Sequence, residues 1–155
     1  MAGDRLRMEF DLDGHGWISI QLSRGAWHRE LAGLSYLAPV LDDVVAMALL
    51  SLADDRDAAA VFELEPGQLR LLCETSRGHT RLSATIASSF AGTRTPEPPE
   101  WQIELSGRGE FARAVLAGAR ALENQVGHDG YARLWQRDPF PATALRKLAK
   151  ALDET

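Results

Sequence analysis

Asp11 and Asp13 open the stretch DLDGHGWISIQL, whose first half has the spacing of a helix–loop–helix calcium loop. Such a loop takes oxygen ligands from its first, third and fifth positions, a turn glycine at the sixth and a bidentate glutamate at the twelfth. Asp11, Asp13 and Gly16 fall on the expected places, with Ile18 two residues beyond the glycine. His15 stands where the third oxygen ligand belongs, and Leu22 where the closing glutamate belongs. The flanks alternate as strands, not helices, so a hairpin turn is the favoured reading.

Other residues able to do chemistry are scattered. His15, His28, His79 and His128 have no ligand-like spacing, and a zinc site needs three or four converging ligands. Solvated loop histidines are the simpler expectation. Cys73, the sole cysteine, alternates with Leu71 in an apolar strand and reads as a small core residue whose thiolate is disfavoured. A lone cysteine also excludes an internal disulfide and a multi-cysteine zinc site. The chain has no Gly-x-Ser-x-Gly elbow and no phosphate loop ending in Gly-Lys-Ser/Thr. Glu63 and Glu65 lie two apart on one strand face, either as an acid/base pair in a cleft or as part of a solvated acidic stripe. Tyr131, Trp135 and Phe140 suit a partner anchor, but the helical spacing of the first two favours core packing. No metal and no cofactor is expected.

The segment Ala58–Glu74 organises the elements that would carry these residues. Val61 and Phe62 begin one strand, Leu69, Leu71 and Leu72 carry the next, and Glu65-Pro66-Gly67-Gln68 joins them as a type II turn. Val61 is expected to pack beneath the preceding helix. Before this hairpin, Leu6, Met8, Phe10 and Leu12 alternate with charges, and Ile18, Ile20 and Leu22 resume after Asp13–Gly16, giving a first hairpin. Ala26–Leu34 is ambiguous. Pro39 begins a helix with Asp42 and Asp43 near its positive end, and Leu41, Val44, Val45, Ala48, Leu49 and Leu52 at helical spacing. Met47 and Leu50 extend its apolar surface.

Thr80–Phe90 and Trp101–Leu105 supply further strands around the proline-rich loop Ala91–Pro99. Phe111, Val115, Ala119, Leu122 and Val126 form one helix face, which Gly127 terminates. Pro141 opens a last helix with Leu145, Leu148 and Leu152 inward. The fold class is therefore α+β: a single domain over residues 1–155, mainly an antiparallel β-sheet of about six strands, with one helix between strands and a helical C-terminal third.

Composition agrees with a globular chain. It has 155 residues, of which 45% are hydrophobic and 25% charged. Val44–Ala53, the longest nearly apolar run, is about half of the roughly 20 residues that a membrane span needs. No apolar run follows the charged N-terminus, so no signal peptide is read and a cytoplasmic location is the expectation. The net charge is −5, which disfavours nucleic acid and favours a basic partner. It is uneven: residues 1–75 carry 13 acidic and 6 basic side chains, whereas residues 76–155 carry 9 and 11.

A leading hairpin, a helix opening near Leu41-Asp42-Asp43, the Phe62-Glu63-x-Glu65-Pro66-Gly67 hairpin and Tyr131-x-x-x-Trp135 followed by Pro139-Phe140-Pro141 resemble small actinobacterial proteins. These are similar to immunity proteins of polymorphic bacterial toxin systems, including the group related to the immunity partner of a wall-associated toxin. The resemblance covers most of the chain as an order of elements and carries no site residues with it. It implies a non-enzymatic protein-binding protein that neutralises a protein partner such as a basic toxin, steered by acidic residues. Asp54, Asp55, Asp57, Glu63 and Glu65 are the candidate partner-binding residues. A small-molecule or peptide-binding accessory domain and a carboxylate-based enzyme are the alternatives. Edge-strand pairing would also allow a homodimer.

Overall fold

The computed structural model describes residues 4–35, 37–53, 57–90 and 98–154. Strands β1 (Arg7–Leu12), β2 (Trp17–Arg24) and β3 (Trp27–Ser35) precede helix α1 (Val40–Ser51). Strands β4 (Ala58–Glu63), β5 (Gln68–Ser76), β6 (His79–Ala87) and β7 (Trp101–Leu105) follow, and then helices α2 (Arg108–Trp135) and α3 (Ala142–Asp153). The α+β class, the single helix between strands and the helical C-terminal part are as expected. The strands, however, form two antiparallel sheets, β1-β2-β3 and β4-β5-β6-β7, so the described residues hold seven strands in place of about six in one sheet.

The ambiguous segment is β3, and a bulge explains its broken alternation. Ile18 pairs with Leu34 but Ile20 pairs with Leu31, so Ala32 and Gly33 together oppose Ser19. The extra residue lets Leu31 and Leu34, three apart, both turn inward, where each is buried. Gly33 takes the positive φ of 72° within this irregularity.

Strand β4 corrects the expected orientation of the central hairpin. Ala58, Ala60 and Phe62 face the core, and Val61 is 39% exposed on the opposite face. Because side chains alternate with period two, burying Phe62 obliges Val61 to point away from α1. The following corner also differs from a plain type II turn. Gly67 has the positive φ expected of it, but Glu65 is at φ 52° and the Glu65–Pro66 peptide is cis. Strand pairing ends at Glu63 and Gln68, so Glu65 belongs to the turn and not to the strand face.

Helix α1 is apolar around much of its circumference, with Val40, Leu41, Val44, Val45, Met47 and Ala48 buried, while Leu50 is 41% exposed. Pro39 caps it from just outside, its carbonyl accepting from Asp43 N–H at 2.8 Å. Helix α2 breaks at Gly127, which has φ 70° and ψ 174°, at the position where the sequence predicts a stop. About two further turns carry Tyr131 and Trp135 into the core, both fully buried, with Phe140 packed edge-on to Tyr131 at 5.5 Å. These aromatics are core residues, as their spacing suggests. One apolar core draws on both sheets and all three helices.

Close approach of α2 to β1 rests on Gly118. A Cβ at that position would lie 2.4 Å from the Met8 carbonyl oxygen and 3.1 Å from the Phe10 ring. Backbone on one side and a buried ring on the other leave little room to yield. Gly118→Ala is therefore expected to destabilise the fold by about 1–3 kcal/mol despite alanine's better helix propensity. Urea unfolding would measure it, and a gain in stability would show that α2 can withdraw freely from β1.

Candidate functional site

The sequence-predicted acidic residues do not converge. Asp54 and Asp55 lie outside the described residues. Asp57 is exposed just before β4, its Oδ1 accepting from Thr75 N–H at 3.4 Å. Glu63 ends the same strand, about 20 Å away over six residues of extended chain. There it is half-buried, and its Oε1 accepts from Gln68 Nε2 at 2.8 Å. The Gln68 side-chain oxygen Oε1 in turn accepts from Phe90 N–H at 2.9 Å, so Glu63 helps to hold the chain leaving β6. Glu65 is exposed in the turn.

No histidine shares that site. His79 lies at the other end of the β5–β6 hairpin, paired with Ser76, whereas Gln68 beside Glu63 pairs with Ala87. Eight strand residues separate the two ends, about 26 Å. His79 instead meets Glu104 at 2.5 Å, His128 meets Glu123 at 2.6 Å and stacks on Phe140, and His28 meets Gln21 at 2.9 Å. The acid/base pairing of Glu63 and Glu65 with a histidine therefore has no geometric basis.

Asp13 is occupied by its own turn. Its Oδ1 accepts from His15 N–H at 2.8 Å and Trp17 N–H at 3.2 Å, closing the β1–β2 hairpin. Among the described residues no group of three or more metal-ligating side chains converges. Cys73 is buried, and burial together with the charge of Asp57 pushes its thiol up to about 11, which fits a core residue.

Two carboxylate sites that sequence reasoning missed are the most strongly shaped polar features. Glu110, in the first turn of α2, has a side chain only 5% exposed. It accepts from Leu6 N–H at 2.8 Å, from Ser106 N–H at 2.7 Å and from Arg24 Nη2 at 3.4 Å. Arg24 also donates to the backbone oxygens of Glu104 and Asp4. Burial opposes ionisation of Glu110, but the Ser106 and Leu6 amides, the Ser106 hydroxyl and Arg24 outweigh it and hold the carboxyl below its usual 4.5. The sequence signal was a near-miss of a capping box: Ser106 precedes Glu110 by four residues, where the box has three.

The second site joins the start of α1 to the corner between α2 and α3. Asp42 Oδ1 and the Tyr131 hydroxyl are buried without a hydrogen-bond partner among the described residues. Asp138 accepts from Trp135 Nε1 at 3.4 Å and pairs with Arg137 at 3.4 Å. Burial raises the Asp42 carboxyl above 3.8, the negative charges of Asp138 and Asp43 add to this, and a backbone hydrogen bond and Arg137 oppose it. Asp43 is raised as well, chiefly by burial. Burial, Asp42 and Asp138 likewise push the Tyr131 hydroxyl up. The helix-end argument that favours charge at Asp42 and Asp43 is thus outweighed by loss of solvent.

With this geometry in view, no family model, no curated protein and no solved structure matches the chain. No helix among the described residues is long and apolar enough to cross a membrane.

Opposite pH responses follow from the two sites. Glu110→Ala leaves two amides and Arg24 without their acceptor, an expected loss of about 3 kcal/mol at neutral pH. Because the folded-state pKa is lowered, that contribution is present above the ordinary carboxylate range and disappears as pH falls through the folded value. Wild type and Glu110→Ala should therefore converge in acid; a gap that persists below that value would assign the effect to packing alone. Asp42 has a raised pKa, so a penalty on folding builds up as pH rises above the ordinary carboxylate value and is complete once pH exceeds the folded value. Asp42→Asn is expected to raise the Tm at neutral pH, with the gain shrinking towards pH 4. A fall in Tm would show that the helix end dominates burial.

Proposed function

We propose that the chain is a non-enzymatic protein-binding protein, an immunity-like inhibitor that neutralises a toxin or another basic protein partner. The observation that carries this reading is the outward face and turn of the β4–β5 hairpin. Val61 is exposed there, with exposed Asp57 and Glu65 beyond the two ends of the strand. Strand β4 is also the edge of its sheet. An apolar side chain bordered by carboxylates suits a partner surface that presents a hydrophobic residue within a basic field.

The test is to express the product of the adjacent gene with and without this chain, and to titrate the purified pair. Rescue of growth and a complex whose association slows with salt are the expected results. Val61→Arg combined with Glu65→Lys should weaken the complex at least about tenfold, near 1.4 kcal/mol, with Tm unchanged. An undiminished complex would move the interface off this hairpin, and a neighbour that is neither toxic nor bound would end the reading.

A further inference from the structure

We infer that the furrow between β1 and α2 is a second docking surface, one that takes an extended acidic segment of a partner protein. It encloses about 700 Å³ and runs beside α2 from Glu110 to Ala121. Eleven helical residues make it about 16 Å long, room for about five residues of extended chain. Gly118, Ala117 and Ala121 line it on the α2 side, together with Arg113, and Arg5 and Arg7 line it on the β1 side. The three arginines, Ala117 and Ala121 are all exposed.

Charge identifies the occupant. Within the lining, Glu110 is already engaged by Arg24 and two amides, which leaves Glu9 as the only other acid against the three arginines. A basic furrow on a chain of net charge −5 is a local reversal, and it selects for carboxylates on the partner. Spacing refines this. Exposure alternates from Arg5 through Glu9, so Arg5, Arg7 and Glu9 share one face of extended chain, with Arg5 and Arg7 about 7 Å apart. Carboxylates at alternate positions of an extended peptide have the same separation. The small residues on the α2 side leave space for an apolar side chain between them, and the groove's length exceeds what a single small anion fills.

The backbone edge of β1 does not supply the contacts. Leu6 N–H is committed to Glu110, and the Met8 carbonyl lies against Gly118. The occupant is therefore held by side chains over a sealed strand edge, unlike a peptide that extends a sheet. This proposal is independent of the β4–β5 hairpin and uses none of its residues.

Fluorescence anisotropy with a labelled Glu-Leu-Glu-Val-Glu peptide tests it. Saturable binding is expected, with no binding of the Lys-Leu-Lys-Val-Lys counterpart. Arg7→Glu should weaken it about tenfold or more. Ala117→Trp, at an exposed position, should block the furrow while leaving the unfolding curve unchanged. Glu65→Lys on the hairpin should leave the peptide's affinity as it was. Failure to saturate, equal binding of the lysine peptide, or wild-type affinity in both Arg7→Glu and Ala117→Trp overturns the proposal. Full displacement by inorganic phosphate or by a short RNA also overturns it, because the site would then read phosphate and not an acidic peptide.

Discussion

The carboxylate of Glu110 ties together segments that are otherwise far apart in sequence: the start of β1 through Leu6, the end of β7 through Ser106 and the end of β2 through Arg24. Two of these belong to the three-stranded sheet and one to the four-stranded sheet, so a single side chain links both sheets to the first turn of α2. Its bonds are charge-assisted, hence stronger than neutral ones, and they sit where solvent cannot compete. Arg24 extends the link to the backbone of Glu104, and the nearby Trp27–Trp101 edge contact at 5.2 Å closes the same seam with apolar area. Once α2 is anchored there, the helix must run along β1, and Gly118 is the residue that permits it.

Much of this arrangement was legible as pattern. Alternation located β1, β2 and the later strands, four-residue steps located α2, and Gly127 marked its break, because each depends on local geometry that sequence spacing encodes. What was illegible required knowledge of a partner element. Leu31 and Leu34 violate period two and acquire meaning only with the bulge opposite Ser19. Val61 and Phe62 are both good strand residues, and only the position of the core decides which of them faces inward. The spacing of two placed Glu63 and Glu65 on a common strand face; in the structure the strand stops between them. Glu110 was invisible for the same reason, since three of its donors lie outside its own helix.

Asp42 and Asp43 illustrate how two sound local rules compete. A carboxylate in the first turn of a helix is favoured by the unsatisfied N–H groups there. Here that helix end is covered by the α2–α3 corner, and the buried Tyr131 and half-buried Asp138 replace solvent. Desolvation grows with each covered face, while the helix-end field stays fixed, so cover by a second element reverses the balance. The prolines at 139 and 141 help to build that cover, because they end one helix and begin the next within a few residues.

The same competition between sequence order and spatial order governs charge. By sequence the acidic excess lies in residues 1–75 and the basic excess in residues 76–155. Folding does not keep these halves apart. Arg5 and Arg7 come from the acidic half, and the approach of α2 sets them beside Arg113 from the basic half. In the other direction, Glu110 of the second half receives a donor from Arg24 of the first. The segment that opens β1 thus places Arg5 and Arg7 near Arg113 on a negative molecule, although β1 itself also carries Glu9 and Asp11, whereas β4 has its exposed carboxylates beyond both ends. Net charge sets the long-range approach of a partner, but which surface that partner meets depends on residues that only the fold makes neighbours.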